Sequence, residues 1–199
     1  MTRAPVEPSR VSLRRRAAED EPAFWRWSRE GEWLAWDAPW EAVEAQSRED
    51  FRTAFLRSVE RDSKGVPRRA VIELAMDGEK AARPVGWVSR YGDPSLPDCA
   101  RIGIDLCEDD ALGKGIGRVA LRLWIGHLFA ALPLHRIGLD TWSYNERMIK
   151  VARAIGFVEE GRERELREWK GTRIDLVRFG LLAREWRRTD DQTSLHTLS

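Results

Sequence analysis

Three glycines alternate with other residues in Gly113-Lys114-Gly115-Ile116-Gly117, just ahead of a stretch with helical periodicity. Glycine permits a sharp backbone turn and lets a ligand come close to main-chain amides. Successive N–H groups in such a turn form a concave anion site, and a helix N-terminus adds the positive end of its dipole. Lys114 and Arg118 supply full charges. A diphosphate is the natural guest, although the same residues also read as a tight strand-to-helix turn with no ligand. Two other phosphate loops do not fit. No Gly-Lys-Ser/Thr follows at the Walker spacing, and a dinucleotide fingerprint needs glycine where Arg118 stands.

A second constellation is aromatic: Trp25, Trp27, Trp33, Trp36 and Trp40 lie within a short span. Such a run is either the packing face of a helical flap or the wall of an acceptor pocket, where aromatic rings bury an organic substrate. On the second reading Trp33, Trp36 and Asp37 are the substrate-binding candidates. Metal chemistry has no support in the sequence. Cys99 and Cys107 lack ligand spacing and His127, His135 and His196 are scattered, so no metal is expected.

The elements that must position these residues follow from periodicity and punctuation. Val11 to Arg15 reads as a strand. Pro22 opens a helix through Trp25, Trp27 and Ser28, and Gly31 ends it. A second helical stretch runs from Pro39 to about Glu60. Ser47 and Asp50 inside it look like a capping box that divides it in two. Strands are predicted over Arg69 to Met76, Pro84 to Arg90 and Ala100 to Cys107, with Asp77-Gly78 as the first turn. Alternation in the last strand puts Ile102, Ile104 and Leu106 on one face, Gly103 and Asp105 on the other.

After the glycine loop comes a helix with Ala120, Leu123, Trp124, His127, Leu128 and Ala131 on its apolar face, stopped by Pro133. His135 to Trp142 is a strand, and Asn145 caps a helix that ends at Gly156. Phe157 to Trp169 and Thr172 to Leu182 form a hairpin around Lys170-Gly171. This order predicts a mixed α/β fold around one sheet.

Composition agrees with a single globular domain. The 199 residues are 42% hydrophobic and 34% charged, with a net charge of +1. Acids and bases are interspersed, and Arg14-Arg15-Arg16 is too short to argue a nucleic-acid face; it reads as a solvated strand end. No apolar run approaches the roughly 20 residues of a membrane span. Residues 1–10 carry Pro5 and Pro8 and no apolar segment, so a signal peptide is not expected. The expected layout is a disordered N-terminus at 1–10, a domain at 11–186 and a disordered tail at 187–199. The expected location is the cytoplasm, with no nucleic-acid or membrane partner and a homodimer left open.

Ile102-Gly103-Ile104-Asp105, the glycine loop, Asn145 and Gly156-Phe157-Val158-Glu159-Glu160-Gly161 together resemble the GCN5-related N-acetyltransferases. The Rim-type subgroup is the nearest, and Leu181-Leu182-Ala183-Arg184-Glu185-Trp186 resembles that subgroup's end. The family's loop begins with Gln or Arg, where Leu112 stands here. The resemblance implies a mostly antiparallel mixed sheet, with a V-shaped splay between the strands Ala100–Cys107 and His135–Trp142. It implies acetyl-CoA as cosubstrate. Backbone groups of Leu106 and Cys107 would pair with its pantetheine arm, and Gly113, Lys114, Gly115, Ile116, Gly117 and Arg118 would hold its pyrophosphate. Asn145 matches the family's cofactor-binding asparagine, a role that can coexist with its N-cap.

Gly103-Ile104-Asp105 with the loop also resembles the aminoglycoside 6′-N-acetyltransferases, in which the matching aspartate serves as base. Asp105 is thereby the catalytic candidate; otherwise it is a salt-bridged strand residue. The family's usual acid positions hold Met148 and Ala152, which cannot donate a proton, and Tyr144 is the nearest substitute. The reading is an N-acetyltransferase acting on a primary amine, either a protein N-terminus or a small molecule. The alternative is a weak or inactive coenzyme A-binding sensor.

Overall fold

The computed structural model describes residues 6–36, 39–40, 47–75 and 82–190. The expected Asp77-Gly78 turn, Asp37, and the tail from 191 onward lie outside the described residues. Among the described residues, seven strands form one sheet in the order β1-β2-β3-β4-β5-β7-β6. They are β1 Val11–Arg15, β2 Arg69–Leu74, β3 Arg83–Tyr91, β4 Cys99–Leu106, β5 Arg136–Trp142, β6 Val158–Trp169 and β7 Thr172–Leu182. The helices are α1 Glu21–Trp27, α2 Arg48–Asp62, α3 Ile116–Ala131, α4 Glu146–Ile155 and α5 Ala183–Asp190. By contacts the described chain divides into two units, one of residues 6–89 and 104–124, the other of 90–103 and 125–190.

In the first unit, β2 pairs antiparallel with β1, from Val11↔Leu74 to Arg15↔Ala70, and with β3 on its other edge. Ser47 starts α2 as the sequence suggests: its hydroxyl accepts the Asp50 N–H at 3.1 Å and donates to the Asp50 carboxylate at 2.7 Å. An aromatic core joins Phe24, Trp27, Trp33, Phe55, Val71 and Cys107. The rings of Phe24 and Trp33 both meet Trp87, at 5.1 and 5.2 Å.

The Arg14-Arg15-Arg16 run is not the solvated strand end it was expected to be. Arg16 is buried, pairs with Asp62 at 2.7 Å and lies over the Phe24 and Phe55 rings. Arg14 clasps Asp20 and Glu73, each at 2.7 Å. Three cations in sequence thus tie the end of the first strand to the turn at Asp20, to α2 and to β2, because each of the three finds a carboxylate or a carbonyl.

In the second unit, β5 pairs in parallel with β4 for three residues only, Cys99↔Arg136 to Arg101↔Gly138. On its other edge β5 pairs antiparallel with β7 along its whole length, from Arg136↔Leu182 to Trp142↔Leu176. Lys170 and Gly171 turn the β6–β7 hairpin with φ of 50° and 74°. Asn145 caps α4 by accepting the Met148 N–H at 3.1 Å, and Gly156 ends it.

The apolar face of α3 differs from expectation. Leu121 and Ile125 are fully buried with Ala120, Trp124 and Leu128, whereas Ala131 is exposed. The helix is covered over a wider arc than a single stripe, so the 3.6-residue spacing under-counted its core.

Candidate active site

Asp105 and Leu106 close β4 in the first unit, and Cys107 follows directly. Ile104 and Leu106 do share a face, since the methyl ends of both lie 3.6–3.7 Å from where a Cβ on Gly117 would be. Asp105 is half-buried and within electrostatic reach of Arg69 on β2. Behind it, β3 comes unusually close: a Cβ on Gly86 would lie 2.0 Å from the Asp105 carbonyl oxygen. Cys107 is buried, and its N–H donates to the Val85 carbonyl at 2.9 Å. That amide is committed to the sheet, so the Cys107 N–H is already taken by β3.

A single 3₁₀ turn, Asp109–Ala111, leads from β4 into the glycine loop. Gly113 and Gly115 have φ of 74° and 80°, values that glycine adopts without strain, and open space lies where their Cβ atoms would be. The Gly115 carbonyl accepts the N–H groups of Arg118 and Val119, at 3.1 and 3.3 Å, and so opens α3. By helix geometry the earlier amides of Ile116 and Gly117 have no acceptor within the helix. Ile116 is buried, Lys114 half-buried and Arg118 exposed. The Lys114 carbonyl accepts the Val6 N–H at 2.8 Å, so part of the segment expected to be disordered meets this loop. Beside it, a hydrogen bond from Arg83 holds the Asp110 carboxyl below its usual range, with further lowering from Arg83 and Lys114 charge. The result is a set of first-turn amides with basic neighbours, at the positive end of a 16-residue helix.

The two described acceptor candidates differ in setting. Trp33 is buried in the aromatic core and its Nε1–H donates to the Glu30 carbonyl at 3.2 Å. Trp36 is half-buried and donates to Glu32 Oε1 at 3.2 Å. Asp37 lies outside the described residues. Asn145 belongs to the second unit, where its side-chain oxygen serves as the α4 cap. Tyr144 and Met148 are half-buried there and Ala152 fully buried. Among the described residues, no group of three or more His, Cys, Asp or Glu side chains could hold a metal ion, and both cysteines are free thiols.

Three residues of this region were not singled out from the sequence: Gly86, Glu108 and Asp109. An isolated glycine inside a strand pattern signals close backbone approach, so Gly86 was findable. Nothing in the spacing of Glu108 and Asp109 announces their partners, which lie 81 and 77 residues away in the chain.

A family model for the GNAT acetyltransferase domain matches residues 10–158, and the chain belongs to that family. A putative ribosomal N-acetyltransferase of Bacillus subtilis, YdaF, is 40% identical over 101 residues, 51% of this chain and 55% of that protein. An uncharacterized N-acetyltransferase of Bacillus licheniformis, p20, is 36% identical over 87 residues, 44% of this chain and 48% of that protein. The chain thus spans about half the length of the curated relatives it matches. A spermidine N-acetyltransferase from Vibrio cholerae, solved with CoA and spermine, has the same fold. Its TM-score is 0.72 at 21% identity, covering 90% of this chain and 99% of that one.

Proposed function

We propose that this chain transfers an acetyl group from acetyl-CoA to a primary amine, either a protein N-terminus or a small molecule. One observation carries the reading: Gly113 and Gly115 turn the chain through positive φ directly into the N-terminus of α3, a few residues after a half-buried carboxylate on β4. The first-turn amides, Lys114 and Arg118 suit the pyrophosphate of acetyl-CoA, and Leu106 suits the pantetheine arm. Of the acceptor candidates, Trp36 keeps exposed surface for a substrate and Trp33 supports it from the core. The ribosomal and spermidine acetyltransferases named above favour an amine acceptor.

An alkyl amine has a pKa of about 10.4 and reaches the site as an ammonium. Asp105 orients that ammonium and takes its proton. The freed nitrogen lone pair attacks the thioester carbonyl carbon, a C–N bond forms, the C–S bond breaks, and the nitrogen's second proton is lost to solvent as the neutral amide forms. The departing thiolate takes its proton from solvent. A thiol pKa of about 8.5 makes it an adequate leaving group without an enzymic acid.

A second reading, a coenzyme A-binding sensor without turnover, is favoured by one fact. Met148 and Ala152 stand where the family often places its acid, and neither holds a labile proton. Incubation with acetyl-CoA and a panel of amines, read by thiol release and by mass of the product, separates the two. Release that depends on the amine upholds transfer. Tight acetyl-CoA binding without release for any amine overturns it in favour of the sensor.

A further inference from the structure

Between β4 and the glycine loop stand three consecutive acids, Glu108-Asp109-Asp110, to which the transfer reading gives no part. Each is tied to a different element of the first unit. Glu108 Oε1 accepts the Trp27 Nε1–H at 2.8 Å, and the same carboxylate pairs with Arg26 of α1. Asp109 Oδ1 accepts the main-chain N–H of Glu32 at 2.8 Å, at the first residue of the 3₁₀ turn Glu32–Ala35. Asp110 pairs with Arg83 of β3. One residue before Glu32, the backbone of Gly31 runs so near β4 that a Cβ there would be 3.2 Å from the Cys107 carbonyl oxygen.

These bonds are directional and charge-assisted, unlike the aromatic packing around them. Trp27 is fully buried, so its indole N–H has no water to turn to if Glu108 is lost. Asp109 holds the first amide of the turn that carries Trp33 and Trp36. Its own backbone begins four residues after Asp105. Side chain and main chain of one short segment therefore fix the distance between the acceptor-side turn and the end of β4. In a direct transfer that distance matters, because a misplacement of about 1 Å can cost about 10²-fold in rate.

We propose that Glu108 and Asp109 are positioning residues that hold the Glu32–Trp36 segment in register with Asp105, so that the amine meets the thioester in a reactive geometry. This rests on the acetyl-transfer reading. Neither carboxylate touches substrate; they act through Trp27, the Glu32 amide and the turn behind it.

The test compares Asp109→Ala, Asp109→Asn and Glu108→Gln with the unmodified full chain, using acetyl-CoA and the amine that the unmodified protein acetylates best. Asp109→Ala should lower kcat/KM for the amine about tenfold, the size of one lost charge-assisted hydrogen bond, and leave the Michaelis constant of acetyl-CoA within about twofold. Asp109→Asn keeps an oxygen for the Glu32 N–H and should restore most of the loss. Glu108→Gln keeps an acceptor for Trp27 while losing the Arg26 pairing, and should fall between the two. An unchanged kcat/KM for the amine in Asp109→Ala, or a Michaelis constant of acetyl-CoA that rises as much as the amine's kcat/KM falls, would overturn the proposal. Asp109 is exposed, so its variants are expected to fold even where a Glu108 variant does not. If the unmodified protein acetylates no amine, the transfer reading itself fails, and amide hydrogen exchange then decides the link between the segments. Faster exchange over residues 32–36 in Asp109→Ala, reversed in Asp109→Asn, upholds it, and unchanged exchange overturns it.

Discussion

A carboxylate on β4 has two tasks in the proposed reaction, to hold an ammonium and to take its proton. Asp105→Asn keeps the shape and one hydrogen-bond acceptor but is no base. We expect kcat to fall by about 10²–10⁴-fold, with acetyl-CoA affinity by calorimetry nearly unchanged. Full turnover in that variant between about pH 6 and 9 would remove Asp105 from the chemistry. Tyr144→Phe tests the matching claim that solvent protonates the thiolate, and it should change little. A large loss there would instead assign the acid to Tyr144. Gly86 matters for a steric reason. Adding a Cβ 2.0 Å from the Asp105 carbonyl forces β3 and β4 apart at the base. Gly86→Ala should therefore lower both the melting temperature and kcat, and a variant with wild-type values of both would mean the strands yield without displacing Asp105.

The glycine loop and α3 work as one element. The left-handed bends at Gly113 and Gly115 aim the chain so that the first helical amides are presented together. Open space beyond Gly115 means a side chain there meets no protein atom. The cost of Gly115→Val is then conformational, a branched residue at φ of 80°, plus crowding of whatever the amides bind. Acetyl-CoA affinity should drop by at least tenfold in calorimetry while the fold persists, about the effect of 1.4 kcal/mol. Unchanged affinity in a folded variant would take the loop out of the site. Gly117 differs from its two neighbours: it lies inside α3 against Ile104 and Leu106, so its small size serves helix-to-strand packing. The three glycines look equivalent in sequence, and their backbone angles and neighbours separate them.

At the scale of the whole molecule, acid stability is the measurable consequence of its ion pairs. In the second unit, a hydrogen bond from Arg136 lowers the Glu160 pKa, and one from Arg153 lowers that of Glu159. Asp175 is lowered by the Glu165 N–H and then by Arg162. In the first unit Arg83 does the same to Asp110. A carboxylate whose folded pKa lies below its unfolded value contributes stability above the unfolded value and loses it as pH falls through the folded one. The melting temperature should be level from about pH 8 to 5 and decline below about pH 4, where unfolded carboxylates begin to bind protons. These pairs are largely solvent-accessible, so the slope should be shallow and should weaken in salt. A melting temperature that rises on going from about pH 5 to 3 would contradict this.

Much of this protein is legible in its residues taken locally. Strand and helix limits mostly fall within two residues of the expectation, because proline, glycine and the caps at Ser47 and Asn145 act through bonds a few residues long. The backbone shape of residues 113–118, on which the proposed anion site rests, is equally local, since it depends on glycine angles and on a helix starting next. The tertiary structure decided what depends on residues far apart in the chain. It took the Cys107 amide into the sheet at Val85, sank Trp33 into a core with Phe24 and Trp87, and paired Arg16 with Asp62. It also gave Glu108 and Asp109 their partners on α1 and the turn at Glu32. Local propensity sets which backbone shapes are cheap, whereas which amide or carboxylate is already occupied depends on the strand or helix that the fold brings alongside it.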